Sequence, residues 1–317
     1  MTPIVGGGPG TKPGTGAGAS VVPAARGLRW PAIPAPWLFS SLITLILVIG
    51  QWKYDIVGGY DRLALALGTA IAVELLLSRV VRGVWPSLLS AYITGNSVAI
   101  LTKASGGLLW PYALGAAVAI ASKYALTYRG RHLWNPTNFS ISAFLLLAPH
   151  SMSVLSHQWG NDLAIVAIVF GVGSLVITRA RLWHITGTYV VCFALLAALR
   201  SAVTGNTLSW ELAPLTGPMY ILLIFFMLTD PRTVVSTRAG RVTVVILIAL
   251  LECVFRLLPP TEAAKPFQAA PAIVALAIVG PIAFWLDRRR ITSRPAAAPV
   301  APAPPATPSL PVSPPAC

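Results

Sequence analysis

The sequence predicts an all-α, polytopic membrane protein of about ten transmembrane helices in two inverted five-helix repeats. Three observations carry that expectation. Of the 317 residues 56% are hydrophobic and only 10% charged, with a mean hydropathy of +0.74, more apolar surface than a water-soluble domain of this length buries. Ten apolar segments follow one another between two tails of different composition. Lysine and arginine fall between those segments with a bias toward alternate loops. In a soluble protein the net charge of +14 would point to nucleic acid. Here the positive-inside rule accounts for it, so the expected partner is the lipid bilayer and not a nucleic acid.

Residues 1–35 (MTPIVGGGPGTKPGTGAGAS…) are rich in Gly, Pro and Ala, which predicts a disordered tail without a cleavable signal peptide. The first repeat, 36–155, contains apolar segments near 36–53, 61–78, 85–102, 109–127 and 136–155. The second, 161–286, contains those near 161–178, 183–202, 214–229, 241–258 and 267–286. A Pro/Ala-rich tail, again expected to be disordered, occupies 291–317. Cys192 and Cys253 lie in apolar runs and read as small buried hydrophobes; with Cys317 they offer no metal-ligand spacing.

Orientation follows from the basic residues. Sixteen of the 23 lysines and arginines fall on one side: those of the amino-terminal tail, Arg79, Arg82, Arg129, Arg131, Arg179, Arg181, Arg232, Arg238, Arg241 and the cluster from Arg288 to Arg294. Six fall on the other, and Lys123 lies inside the fourth segment. Ten spans with that bias predict a multi-pass protein of the cell membrane with both termini cytoplasmic.

The two halves match in spacing. Gly68-Thr69 has a counterpart in Gly187-Thr188, and Thr94-Gly95 in Thr216-Gly217. An odd number of spans per half gives the halves opposite orientation, the arrangement in which ligand sites form at the repeat interface on discontinuous helices. Two segments qualify as discontinuous. The third is interrupted by Thr94, Gly95, Asn96 and Ser97. The eighth has an apolar run over 219–229 that is short of the roughly 20 residues of a crossing. Asp230-Pro231, which ends it, reads as an N-cap and first-turn proline.

A similar start opens the fifth segment: in RGRHLWNPTNF, Asn135-Pro136 is cap plus proline, with Thr137 and Asn138 adding donors and acceptors. Helix starts attract anions, and Arg129, Arg131 and His132 lie beside this one. Ordinary capping next to positive-inside arginines serves equally well. Trp183 reads as an interfacial anchor, while His184 serves as proton donor, ring partner or satisfied interfacial histidine. His150 and His157 read as loop residues. Glu74 and Glu252 are intramembrane carboxylates, functional by default, unless Arg79 and Arg256, five and four residues on, neutralise them along their helices.

With FFMLTDPRT following the Leu182-Trp183-His184 link and WNPTNFSI, the chain resembles RnfD and NqrB, membrane subunits of the Rnf and Nqr electron-transport complexes. RHLWNPTNF, QWGN at 158–161, LTGPMY and FFMLTDP are most similar to the smaller UnbU-like branch of enediyne-biosynthesis membrane proteins. The resemblance spans most of 36–286. It implies two inverted five-helix halves, as in urea transporters, together with flavin binding, membrane electron transfer and other redox subunits as partners. Covalent FMN is not expected, because the Ser-Gly-Ala-Thr attachment motif of Rnf and Nqr subunits is absent from the short stretch 148–162. The expected cofactor is FMN or riboflavin held non-covalently near Asn135, Thr137, Asn138, Thr229, Asp230 and Thr233, with Arg131 and His184 close by. No catalytic residue and no metal ligand are assigned. A small-solute channel or transporter and a cofactor-free scaffold subunit are the alternatives.

Overall fold

The computed structural model describes residues 35–154 and 163–293. Most of both tails, Cys317, His157 and the string at 158–161 lie outside the described residues. The remainder is mostly helical. In chain order come α1 (Ala35–Tyr54), α2 (Tyr60–Leu77), α3 (Leu89–Leu101), α4 (Trp110–Ala125), α5 (Pro136–Leu147), α6 (Leu163–Ala180), α7 (Trp183–Thr204), α8 (Leu208–Leu212), α9 (Pro218–Leu222), α10 (Arg238–Leu257), α11 (Lys265–Ala269) and α12 (Pro271–Ser293). Two short strand pairs complete the fold. β1 (Thr102–Ala104) runs antiparallel to β4 (Met152–Val154), and β2 (Thr127–Tyr128) to β3 (Arg131–His132). Arg129 and Gly130, both at positive φ (53° and 74°), make the two-residue turn of the second pair, the backbone a tight hairpin requires.

Among the described residues three helices are long and apolar enough to cross a membrane: α2 extended by its π turn (Tyr60–Arg82), α7, and α12 through Ile291. The eighth segment forms a pair, Leu208–Thr216 and Tyr220–Met227, bent by 64°. The predicted interruption there is present at Thr216-Gly217, between a 3-10 turn and α9.

Three expectations are corrected. First, the third segment is not broken: α3 runs continuously through Thr94–Ser97. The Thr94 hydroxyl donates to its own turn at Ser90 O, 2.9 Å away, and Gly95 lets α3 lie directly on α2. A Cβ at Gly95 would sit 3.1 Å from the Ala70 Cβ and 3.2 Å from the Leu67 Cα. Second, no helix begins at Pro231; the chain turns there and α10 starts at Arg238, capped by the Thr237 hydroxyl on Gly240 N at 3.1 Å. Third, α5 stops at Leu147 and gives way to a turn holding exposed His150, then β4.

Around an apolar core, two helices depart from the pattern of a soluble bundle. On α7, Val191, Leu195, Leu199 and Val203 form an exposed stripe at four-residue spacing, while Tyr189, Phe193, Ala197 and Arg200 face inward. On α10, Leu247, Leu250 and Val254 are exposed and Glu252 is buried. Charge inside and hydrocarbon outside suit a lipid solvent, since contiguous apolar patches of this kind do not persist in water. Cys253 is buried and Cys192 half-buried.

In the first half of the chain α2 packs on α3 and α4, α1 on α3, and α4 on α5. In the second, α7 packs on α8 and α10, α6 on α9, and α10 on α12. The halves meet where α5 packs on α12 and α1 on α6.

Candidate functional site

The polar junction between the halves is built by the string Arg131 to Asn138. Asn135 is extended (φ −63°, ψ 125°), and its side-chain oxygen accepts the Asn138 N–H at 3.1 Å, with Pro136 as the first helical residue. That cap was legible in the sequence. Its other end was not. The Asn135 amide nitrogen donates to Asp230 Oδ2 at 3.0 Å, while Asp230 Oδ1 accepts the Arg232 N–H at 3.0 Å and so closes the turn after the eighth segment. Arg131 donates to the Pro231 carbonyl at 2.8 Å.

Two further bonds tie the same string to α12. The Trp134 indole N–H donates to the Ala277 carbonyl at 2.7 Å. Pro281, four residues on and inside α12, has no N–H to offer that carbonyl, so the indole replaces the missing helical bond. Buried Asn138 donates through Nδ2 to Ile273 O at 2.9 Å.

The eight residues expected at a cofactor site therefore divide. Asn135, Asn138 and Thr233 line a crevice together with Trp134 and Arg241, and Arg131 and Asp230 brace it. Thr137 is buried in α5, and the Thr229 hydroxyl is committed to the Phe225 carbonyl in its own turn. His184 lines an adjoining cleft with Arg181, Arg238 and Arg241, the last of which borders both spaces. The crevice holds about 40 Å³, space for one or two waters.

His132, in β3, lies beside the junction. Burial, with the charges of Arg232 and Lys123 nearby, holds its imidazole below the ordinary value near 6.5. Its Nδ1 is buried without a hydrogen-bond partner among the described residues.

The intramembrane carboxylates follow two courses. Glu252 does pair with Arg256, Nε to Oε1 at 3.0 Å, and also accepts from Tyr189 and, at 2.6 Å, from Tyr220. Glu74 does not pair with Arg79, which is a correction. Arg79 donates to Gly83 O at 2.7 Å and stacks on Trp85. Glu74 instead meets Lys123 of α4 at 3.3 Å and the Tyr124 hydroxyl at 2.8 Å. Lys123 also reaches the Ser90 hydroxyl at 3.0 Å.

A third ion pair, Arg200 with Glu211 at 2.7 Å, fixes α8 to α7. The guanidinium groups of Arg200 and Arg256 lie 4.9 and 5.5 Å from the Phe193 ring. The bent α8–α9 segment is thus pinned before its break through Glu211 and after it through Tyr220. Neither the Arg200–Glu211 pair nor the Pro281 vacancy was anticipated. The available signals were an arginine near the end of one apolar run and a proline inside another. No family model matches the chain, and no curated protein does.

Proposed function

We propose that this chain is a multi-pass protein of the cell membrane with two inverted five-helix halves and cytoplasmic termini. In this reading it is built like the membrane subunits of the Rnf and Nqr complexes, most nearly their UnbU-like relatives in enediyne biosynthesis, and it serves beside other redox subunits. The observation that carries the reading is the Asn135–Asp230 hydrogen bond. It joins the two motifs on which the resemblance rests, one from each half, at the boundary between them. The packing order of α1 to α5, repeated in kind by α6 to α12, supports the duplication, as does the apolar exterior of α7 and α10.

The flavin expectation meets an obstacle. Ligand pockets measure about 300–1,000 Å³, against about 40 Å³ here, so an isoalloxazine ring does not fit the crevice in this arrangement. A planar ligand enters only where Trp134 or the 231–235 turn yields. That same tightness favours a second reading, a cofactor-free scaffold subunit whose halves are locked at the junction. The channel reading rests on Gly95 and Gly217, and the space at Gly95 is filled by contact with α2.

One experiment separates the first two. The full-length protein is purified in detergent, and its absorbance and intact mass are recorded before and after incubation with FMN or riboflavin. A flavin spectrum with unchanged polypeptide mass supports non-covalent binding. No spectrum in either case, with partner subunits co-purifying, leaves the scaffold.

A further inference from the structure

Beyond the junction, the chain end of α6 and the starts of α7 and α10 enclose an open cleft of about 500 Å³, lined by Thr178, Arg181, Trp183, His184, Arg238 and Arg241. No carboxylate lines it, although three guanidinium groups and an imidazole do. Arg241 is partly committed, through Nε to Val235 O at 2.9 Å and a terminal nitrogen to Ser236 O at 3.4 Å. Arg181 and Arg238 are exposed, and their side chains have no hydrogen-bond or ion-pair partner among the described residues. The His184 Nε2 is buried and likewise without a partner among them. Trp183, at the rim, is turned to donate to the Thr178 hydroxyl at 2.9 Å.

Like charges gathered around one space repel and are held there at a cost unless an anion joins them. Arginine's planar fork matches phosphate oxygens two at a time. The His184 imidazole borders the same space, with its Nε2 buried behind the arginines. We infer that the cleft formed by Arg181, Arg238, Arg241 and His184 is a binding site for a phosphate group, carried either by a membrane lipid headgroup or by a soluble phosphate ester. The site needs no flavin ring in the neighbouring crevice, with which it shares Arg241.

The test uses the full-length protein and the double variant Arg181→Gln/Arg238→Gln. Both side chains are free of structural bonds among the described residues, so the fold is expected to survive their loss. Arg179→Gln, which removes an equally exposed charge two residues away but outside the cleft, is the control. Melting temperature and native mass spectra are compared in three arms. The first sets inorganic phosphate against chloride at equal ionic strength, the second FMN against riboflavin, and the third phosphatidylcholine nanodiscs with and without phosphatidic acid.

Wild type is expected to gain stability and retain one phosphate-bearing molecule in at least one arm. The double variant should lose roughly tenfold or more in apparent affinity, and Arg179→Gln should match wild type. A response only to phosphatidic acid assigns the lipid source. A response to inorganic phosphate and to FMN over riboflavin assigns the soluble one. If the phosphate-bearing member of each comparison behaves as its phosphate-free counterpart does in all three arms, or if the double variant and Arg179→Gln respond alike, the inference is overturned. Riboflavin binding that persists in the double variant leaves the flavin reading standing while this one fails.

Discussion

The Asn135 amide nitrogen lies 3.0 Å from Asp230 Oδ2, linking positions 95 residues apart. One side chain thus does two jobs, capping α5 with its oxygen and holding the other half of the chain with its nitrogen. Aspartate could do the first but not the second.

That division makes the tether testable without disturbing the cap. Asn135→Asp keeps an N-cap acceptor and sets two carboxylates against each other, so the melting temperature in detergent is expected to fall. Adding Asp230→Asn restores a donor and should recover most of the loss. The coupling energy between the two changes is expected to be about 1 kcal/mol. Additive losses with no recovery would remove the bond from the account of how the halves are joined.

Lys123 and Glu74 make a second cycle. Truncating one member of a buried ion pair leaves a bare charge and costs about 3–5 kcal/mol, whereas replacing both with apolar groups is often neutral. Lys123→Met alone should sharply lower the yield of folded protein. Lys123→Met with Glu74→Leu should return it, as read by size-exclusion profile and melting temperature. Arg79→Gln, at the residue that adjacency along the helix suggests as partner, should have little effect.

Pro281 and Trp134 form a third pair. Pro281→Ala gives α12 back an N–H for the Ala277 carbonyl, so the indole loses its exclusive claim on that oxygen. Trp134→Phe in the parent chain is expected to cost about 1 kcal/mol, and clearly less in the Pro281→Ala background. Equal losses in both backgrounds would show that the indole acts through packing alone.

His132 gives the pH dependence a sign. Its folded-state value lies below the ordinary 6.5, so the folded chain binds fewer protons than the unfolded one. Its contribution is fully present above about pH 6.5 and declines as the solution is acidified. The melting temperature should therefore drop between about pH 7.5 and about pH 5.5, and His132→Gln should flatten part of that drop.

Hydropathy made the helices legible because a lipid-facing surface must be apolar whatever it packs against; all ten apolar segments carry helix. The Asn135 cap was legible too, being a bond between residues three apart. What stayed hidden was tertiary. Asp230-Pro231 has the chemistry of a helix start, but Asp230 spends its carboxylate on a turn and on Asn135, and the helix waits for Thr237. Thr94-Gly95 has the composition of a break, yet the glycine serves close contact with α2. The Lys123–Glu74 pair spans 49 positions, a separation no local pattern records. His184, in the 182–184 link, borders the adjoining cleft and not the junction crevice itself.

Each arm of the bent α8–α9 segment is too short to settle among lipids unaided, and its two anchors are synthesised at different times. Arg200 precedes Glu211 by 11 residues, while Arg256 follows Tyr220 by 36. On the ribosome the first arm meets its partner at once, but the second must idle until α10 has emerged. The later arm is therefore anchored only once α10 has been made. A nascent chain halted before Arg256 leaves Tyr220 without its guanidinium partner and the second arm without that anchor.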